Sequence, residues 1–469
     1  MRRRELRVLG RPTLPGHRPS GVMRSQVGPI RWAAIALLAL LLSSCNWTVY
    51  HGFLGGSGAD LSGTSFTSAH RSWVSPKLSG ELYGEPLVYG SQVFVATESD
   101  AVVALSASTG RPNWSKTLAT PVPASDLPCG NINPTVGITS TPVIDGNRQE
   151  IFVVADELSG GAVQHHLFGL DLSTGAVLVD QNVDPPGSDP KAQLQRVALT
   201  LDAGQVVIGY GGNSGDCSDY HGWLLAVPEL GGAPKTFEVD AAKGLDQGAI
   251  WMGGAAPVVD AQGHLWISTG NGSTVTPGAP YDDSDGVLEL SSSLTLMQYF
   301  APSNWTHDNL TDADLGSSSP AILPDGLVFQ GGKSGTGYLM NQSALGGIGG
   351  QVAQLPSLCS GVVDGGDAFN NGVVYAPCSG GIVAVAVGTA PPSLTLLWQT
   401  STRSSGPPII AGGLVWTIGG STLYGLDPST GVPSVQFTLA AEANHFPTPS
   451  VGDGLLLAPV AQKVYAFAP

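Results

Sequence analysis

A segment that recurs in fixed order constrains this chain more than any other feature. Residues 93–114 read VFVATESDAVVALSASTGRPNW, and the same succession of strand, polar turn, strand and STG-type corner returns as HHLFGLDLSTGAVL (165–178) and LVWTIGGSTLYGLDPSTGVPSVQF (414–437). Fixed-order recurrence marks a repeat architecture, in which no unit can bury its faces without its neighbours. Unit starts fall near residues 86, 142, 198, 257, 320, 369, 407 and 449, which gives eight units spaced by 38 to 63 residues. Short alternating or apolar runs fill them, and few stretches carry the spacing of a surface helix. That unit length suits the four-stranded sheet of a β-propeller blade. A Gly count of 64 with 12% charged residues would also suit disorder, but regularly spaced apolar runs argue against it. The prediction is all-β: an eight-bladed β-propeller of four-stranded antiparallel blades.

The last unit supplies three strands, PSVGDG, LLLAPV and KVYAFAP. A three-stranded blade would leave an open edge, which β proteins avoid. The strand-like segment HRSWVSPKLSG (70–80) precedes the first unit and is predicted to close the ring as an N-terminal strand. The propeller is thus expected over residues 70–469.

Residues 1–44 are a different text. They hold eight Arg against one acidic residue, then the apolar run AAIALLALLLSS (33–44), then Cys45. A basic n-region and a short h-region read as an export signal, too short for a spanning helix. Leu42-Ser43-Ser44-Cys45 resembles the lipobox of bacterial lipoproteins, which implies a lipid on Cys45; plain secretion with cleavage nearby is the alternative, and Met23 is a second candidate start. Residues 45–69, rich in Gly, Ser and Thr, are expected to form a flexible tether. Without the leader, 12 basic residues face 35 acidic ones, a net charge near −23. Such a surface repels nucleic acid and suits cations or neutral ligands. Nothing in it names a protein or glycan partner, and a monomeric propeller anchored to a membrane is expected.

Four cysteines remain, Cys129, Cys217, Cys359 and Cys378. An even count in an exported chain reads as two disulfides. Four cysteines allow three pairings. Cys359 and Cys378 share one unit, which favours their pairing and leaves Cys129 for Cys217.

The pattern from VFVAT to RPNW resembles the PQQ-type repeat, named from quinoprotein alcohol dehydrogenases and shared by the propeller lipoprotein of the outer-membrane barrel assembly machinery. The resemblance covers roughly residues 70–469 and speaks to fold more than to function, because the repeat residues are scaffold. Asp171 and Asp427, each before an STG, fit turn chemistry, while Trp114 and Trp398 fit packing plugs between blades.

In a propeller, the blade-to-blade loops and the loops between second and third strands open on one face. The long loops sort there, so that face is the candidate site. Asp282, Asp283 and Asp285 in YDDSDG, with Asp312 and Asp314 in TDADLG, offer hard oxygens suited to Ca²⁺. Neither loop is a full calcium loop, and Asp also caps turns. His165, His166, His221, His307 and His445 sort to the same face without the spacing of zinc ligands. Trp251 in AIWMGG is placed to stack on a planar or sugar ligand or to plug the channel. Lys333 in GGKSGTG lacks phosphate-loop spacing.

The quinoprotein resemblance implies a channel with Arg or Lys, acidic and amide metal ligands, a flat aromatic floor, a catalytic carboxylate and a vicinal disulfide. Trp251, Asn271 and the Asp residues match parts of that set, but no adjacent cysteines are present. The expectation is therefore a non-catalytic, anchored binding or scaffolding propeller with Ca²⁺ as its candidate ion, ahead of a PQQ- and Ca²⁺-dependent dehydrogenase acting on an alcohol or sugar.

Overall fold

The computed structural model describes residues 46–242, 244–400 and 406–469. The export leader and Cys45 lie outside the described residues. Among the described residues eight blade sheets follow one another along the chain, with a separate two-stranded ladder of Val122–Pro123 and Thr135–Val136 in the loop between blades 1 and 2. Blade 1 is Leu87–Tyr89, Gln92–Thr97, Ala101–Ser106 and Pro112–Thr117, paired in that order. Blades 2 to 7 open with Val143–Asp145, Thr200–Asp202, Val258–Val259, Ala321–Leu323, Ala368–Asn370 and Ile409–Ala411, each within three residues of a predicted unit start. Blade 8 takes Ser450–Gly452, Leu455–Val460 and Lys463–Ala468 from the C-terminus and His70–Val74 from the N-terminus. His70 pairs with Ala468 and Val74 with Tyr465, so the ring closes as expected and the N-terminal strand supplies the outermost strand that the last blade would otherwise lack. Two short additions extend the blades: Gln193–Leu194 pairs with Gly211–Gly212 of blade 3, and Gly347–Ile348 adds in parallel outside blade 4.

The middle strands read as unbroken apolar runs because both faces of each blade press on a neighbour. Ala101–Leu105 is buried throughout, while the outer strand Pro112–Thr117 is nearly all exposed. Antiparallel order puts the turns between strands one and two, and between strands three and four, on one side of the ring. That side is called the base here.

The recurring corner has a specific job at the base. Asp171 Oδ1 accepts from the backbone N–H and hydroxyl of both Ser173 and Thr174, at 2.6 to 3.1 Å, and Asp427 repeats the arrangement with Ser429 and the Thr430 N–H. This tightens the turn and delivers a glycine at φ +69° (Gly175) or +71° (Gly431). The preceding blade then lays a tryptophan on that glycine. Trp114 Nε1 donates to the Leu172 carbonyl at 2.9 Å, and Trp398 Nε1 to that of Pro428 at 2.9 Å. A Cβ on Gly175 would stand 2.6 Å from the Trp114 ring, and one on Gly431 2.5 Å from that of Trp398. The closing strand obeys the same rule: Trp73 donates to the Ala107 carbonyl at 2.6 Å and covers Gly110.

Residues 46–69 correct the expectation of a free tether. Trp47 is 3% exposed and Phe66 fully buried. The backbone of 47–58 is stitched to innermost strands around the ring: Trp47 to Val88 of blade 1, Thr48 to Ile144 of blade 2, Leu54 to Val259 of blade 4, Ser57 to Phe369 of blade 6 and Gly58 to Ile410 of blade 7. The segment therefore plugs the base end of the axial channel. Its Tyr50 and His51 rings stack at 4.2 Å between centroids and reach Gly366, where a Cβ would meet both. Among the described residues, no helix is long and apolar enough to cross a membrane.

Candidate functional site

On the face opposite the plug, the long loops converge on an axial cavity of about 550 Å³. The residues at its heart, Trp251, Asn271, Asp312, Asp314, Lys333 and His445, all come from blade-to-blade or second-to-third-strand loops, the elements a propeller can elaborate without disturbing its sheets.

Trp251 sits in the loop between blades 3 and 4 and contributes its ring to the wall. The glycines after it are required by close approach. Gly254, at φ +84°, would put a Cβ 2.3 Å from Arg196 Nη1, and Gly253, at φ +57°, would put one 2.3 Å from the Gly365 backbone. Arg196, on the strand-like approach to blade 3, can thus lie deep in the cavity. Its guanidinium stands 5.9 Å from the Tyr83 ring centre and 5.8 Å from that of Phe446, and it donates to the His445 carbonyl at 3.3 Å. Burial pulls its pKa down and Glu98 opposes that. Burial, helped by Arg196, also depresses the His445 imidazole, so His445 faces the cavity neutral.

A second group gathers on the other side of Trp251. The short helix Trp305–Thr311 ends at Asp312, whose left-handed φ of 55° turns the chain back toward the axis. Two residues later Asp314 accepts from the Asn271 N–H at 2.7 Å, and Asn271 Nδ2 donates to Asp312 at 2.8 Å. Lys333 bridges both carboxylates, at 2.9 Å to Asp312 and 2.5 Å to Asp314, with its Nζ 5.4 Å from the Trp251 ring centre. Burial raises the Asp314 carboxyl and Lys333 partly offsets it. Burial alone would lower Lys333, but Asp314 and Asp312 outweigh it and hold the ammonium above its ordinary range, so the pair keeps its proton on Lys333. Asn271 Oδ1 is buried with no hydrogen-bond partner, an arrangement that costs free energy unless a donor or cation meets it. The remaining wall is Gly212–Asp216, held by Tyr220 Oη donating to Asp216 at 2.8 Å.

The cavity brings together Trp251, Asn271, Asp312, Asp314, Lys333 and His445. Other expected ligands lie elsewhere. His165 is buried inside blade 2, with Nδ1 2.8 Å from Asp184 and Nε2 3.5 Å from Asp156. His166 pairs with Asp180 at 2.8 Å. His221 leans on the Val239 carbonyl and Glu238, and His307 is in the short helix. Asp282, Asp283 and Asp285 do not line the cavity either. Asp282 Oδ1 accepts from the Ser284 N–H and hydroxyl, the Asp283 carbonyl accepts from Thr269, and Asp285 accepts from the Leu315 N–H at 2.9 Å. They serve as turn caps and loop braces. Among the described residues the ligand-type groups that converge in a threesome are instead Asp260, His264 and Glu289, near the base of blade 4; His264 bonds Glu289 through Nδ1 and Asp260 through its backbone N–H, and Trp266 Nε1 donates to Asp260. The disulfides are Cys129–Cys217 and Cys359–Cys378, the favoured pairing. The first lies behind the cavity wall, with Cys129 Sγ 3.4 Å from a Cβ built on Gly215.

Arg196, Tyr83 and Phe446 are cavity residues that sequence reasoning did not single out. The signal for Arg196 was its rarity: few cations follow the leader, and this one stands directly before a unit start.

The family model described as outer membrane protein assembly factor BamB matches residues 55–221, just over a third of the chain. A comparison with curated proteins finds no match. Among solved structures, the quinohemoprotein alcohol dehydrogenase from Comamonas testosteroni is similar at 14% identity and a TM-score of 0.66, covering 92% of this chain and 82% of its own. A quinohemoprotein alcohol dehydrogenase from Pseudomonas putida HK5 is similar at 15% identity and 0.68, covering 92% and 81%, and a europium-containing methanol dehydrogenase at 13% and 0.66, covering 93% and 100%. At these identities the likeness is one of fold. The expectation that ranked a non-catalytic scaffold first is corrected by these findings: these three fold neighbours, each covering more than nine-tenths of this chain, are alcohol and methanol dehydrogenases.

Proposed function

On the premise that this chain is a PQQ-repeat β-propeller by fold, we propose that it is an exported quinoprotein dehydrogenase that oxidises an alcohol or a sugar, with PQQ and a divalent cation in the axial cavity. One observation carries the reading: Trp251, Lys333 and Asn271 meet two carboxylates in a single cavity opposite the plug. A planar tricarboxylate needs a flat apolar surface, cations and an oxygen-rich metal site. Trp251 offers the first, Arg196 and Lys333 the second, and Asn271 Oδ1 with Asp312 and Asp314 the third. The unpartnered Asn271 oxygen is the strongest sign of fit, since a cation would satisfy it. The fit departs from the quinoprotein pattern in one respect. No cysteines are adjacent, and Cys129–Cys217 stands behind the wall instead.

Bound quinone would supply a two-electron acceptor, which no side chain of the cavity can provide. The side chains have other tasks. Asp312 is 69% exposed at the mouth and is the group that can accept the proton of a substrate hydroxyl. Lys333 keeps Asp314 ionised, and Trp251, Tyr83 and Phe446 exclude water from one side of the cavity. A net charge near −23 on the exported part suits a neutral substrate. The basic leader, the lipobox and two disulfides support a location outside the cytoplasm with a lipid on Cys45.

Tryptophan fluorescence tests the cofactor assignment. Titration with PQQ in Ca²⁺ should give saturable quenching in the parent protein. Trp251→Ala should weaken retention by equilibrium dialysis about three- to tenfold, the worth of one aromatic stack. Failure of the parent protein to retain PQQ with Ca²⁺ would sink the assignment.

A further inference from the structure

We propose that the base of the ring is a bilayer-facing surface, held there by the lipid on Cys45, so that the cavity opens away from the membrane. This rests on the lipidation read above. Cys45 is bonded to Asn46, and consecutive Cα atoms are about 3.8 Å apart. Asn46 is itself fixed to the base: its Oδ1 accepts from the N–H of Gly90 at 2.9 Å, in the turn between the first two strands of blade 1. Trp47 and Val88 exchange two backbone hydrogen bonds of 2.8 Å in the next step, and the chain then stitches across the channel to blades 2, 4, 6 and 7. A flexible tether would leave the propeller free to present any side to the membrane. With no slack between anchor and ring, the base rim beside blade 1 must stay within a few ångströms of the headgroups.

The rest of the base, across the ring from that anchor, suits this position. Phe53 is 44% exposed, and Leu61 and Leu230 are each 78% exposed. Leu230 is in a base turn of blade 3, while Phe53 and Leu61 belong to the plug segment. Phe53 and Leu61 line a groove of about 410 Å³ with Leu323, Leu327 and Phe369. A contiguous apolar groove marks an interaction surface where single exposed leucines do not. Base turns also carry Asp145, Asp325, Asp427 and Asp453, so attraction to anionic headgroups is not the source of contact. The acyl chains and the apolar groove must supply it, and contact should be insensitive to salt.

The test uses the full chain made in a lipidating bacterium and reconstituted into phosphatidylcholine vesicles containing nitroxide-labelled lipid. A polarity-sensitive fluorophore is attached through Leu61→Cys or Leu230→Cys at the base, or through Val275→Cys on the cavity face; these side chains are exposed, which spares the core. Lipid quenching should be several-fold greater at 61 and 230 than at 275, and unchanged between about 0.01 M and 0.5 M salt, over which the Debye length falls from about 30 Å to about 4 Å. Equal quenching at all three, or stronger quenching at 275, would overturn the orientation. Mass spectrometry of the N-terminal peptide separates the premise from the inference: no diacylglyceryl on Cys45 overturns the anchor and the proposal together. A lipidated protein with the wrong side quenched overturns the orientation alone.

Discussion

Lys333 is the residue on which the cavity's electrostatics turn. It holds two carboxylates and lies over the Trp251 ring. An ammonium whose folded pKa is raised contributes stability that is fully present below its unfolded value of about 10 and is lost only above it. Lys333→Met should leave Asp314 buried without a cation, and the Asp314 carboxyl should rise further. A carboxyl raised on folding stabilises below its unfolded pKa and loses that contribution as pH increases, so the variant should lose on the order of 2 kcal/mol at pH 8 and much less at pH 5. Thermal midpoints at the two pH values check this; a loss independent of pH would mean the side chain matters only for packing. Trp251, Asn271 and Lys333 were legible in the sequence because an aromatic, an amide and a lysine flanked by glycines stand out in loops. Arg196 was not, because its role depends on Gly254, 58 residues away, making room for it.

At the scale of the element, the blade corner explains why the chain repeats itself. Asp tightens the turn, glycine bares its Cα, and the neighbouring blade's tryptophan fills the space and bonds the turn's carbonyl. Gly175→Ala combines positive φ with a Cβ 2.6 Å from the Trp114 ring and should cost about 2–3 kcal/mol. Denaturant unfolding reads the cost, and an unchanged midpoint would show that the contact is not limiting. Blade count was legible from unit spacing, ring closure from the strand missing in the last unit, and the Cys359–Cys378 pair was favoured by its place within one unit. The plug was not. Gly, Ser and Thr dominate residues 46–69 and mask Trp47, Val49, Tyr50 and Phe66, whose burial depends on innermost strands of distant blades. His165 and His166 were misplaced for a related reason: blade 2 extends its central hairpin to Ser159 and Ala162, so both lie within a strand and not in a loop.

The whole molecule carries a pH signature. Burial pushes the carboxyls of Glu98 to about 8, Asp100 to about 9, Asp156 to about 7 and Asp240 to about 9, with neighbouring carboxylates adding to most of these shifts. All are raised above their unfolded values near 4, so the folded protein binds more protons between those limits and its stability falls as pH rises from about 5 to 9. Asp100 has both carboxylate oxygens buried without a partner, and its φ of 51° is one Asn accepts. Asp100→Asn should flatten part of the decline and raise the midpoint at pH 8; a variant destabilised equally at every pH would contradict the assignment. The central claim is that this propeller's axial cavity binds a quinone and a cation together to oxidise an alcohol or sugar. The most direct measurement follows the thermal midpoint of the exported protein with PQQ and Ca²⁺, alone and combined, and then dye-linked oxidation of a panel of alcohols and sugars. The account predicts a saturable rise that needs both ligands, followed by turnover of at least one substrate. No rise with both present, and no turnover, would contradict it.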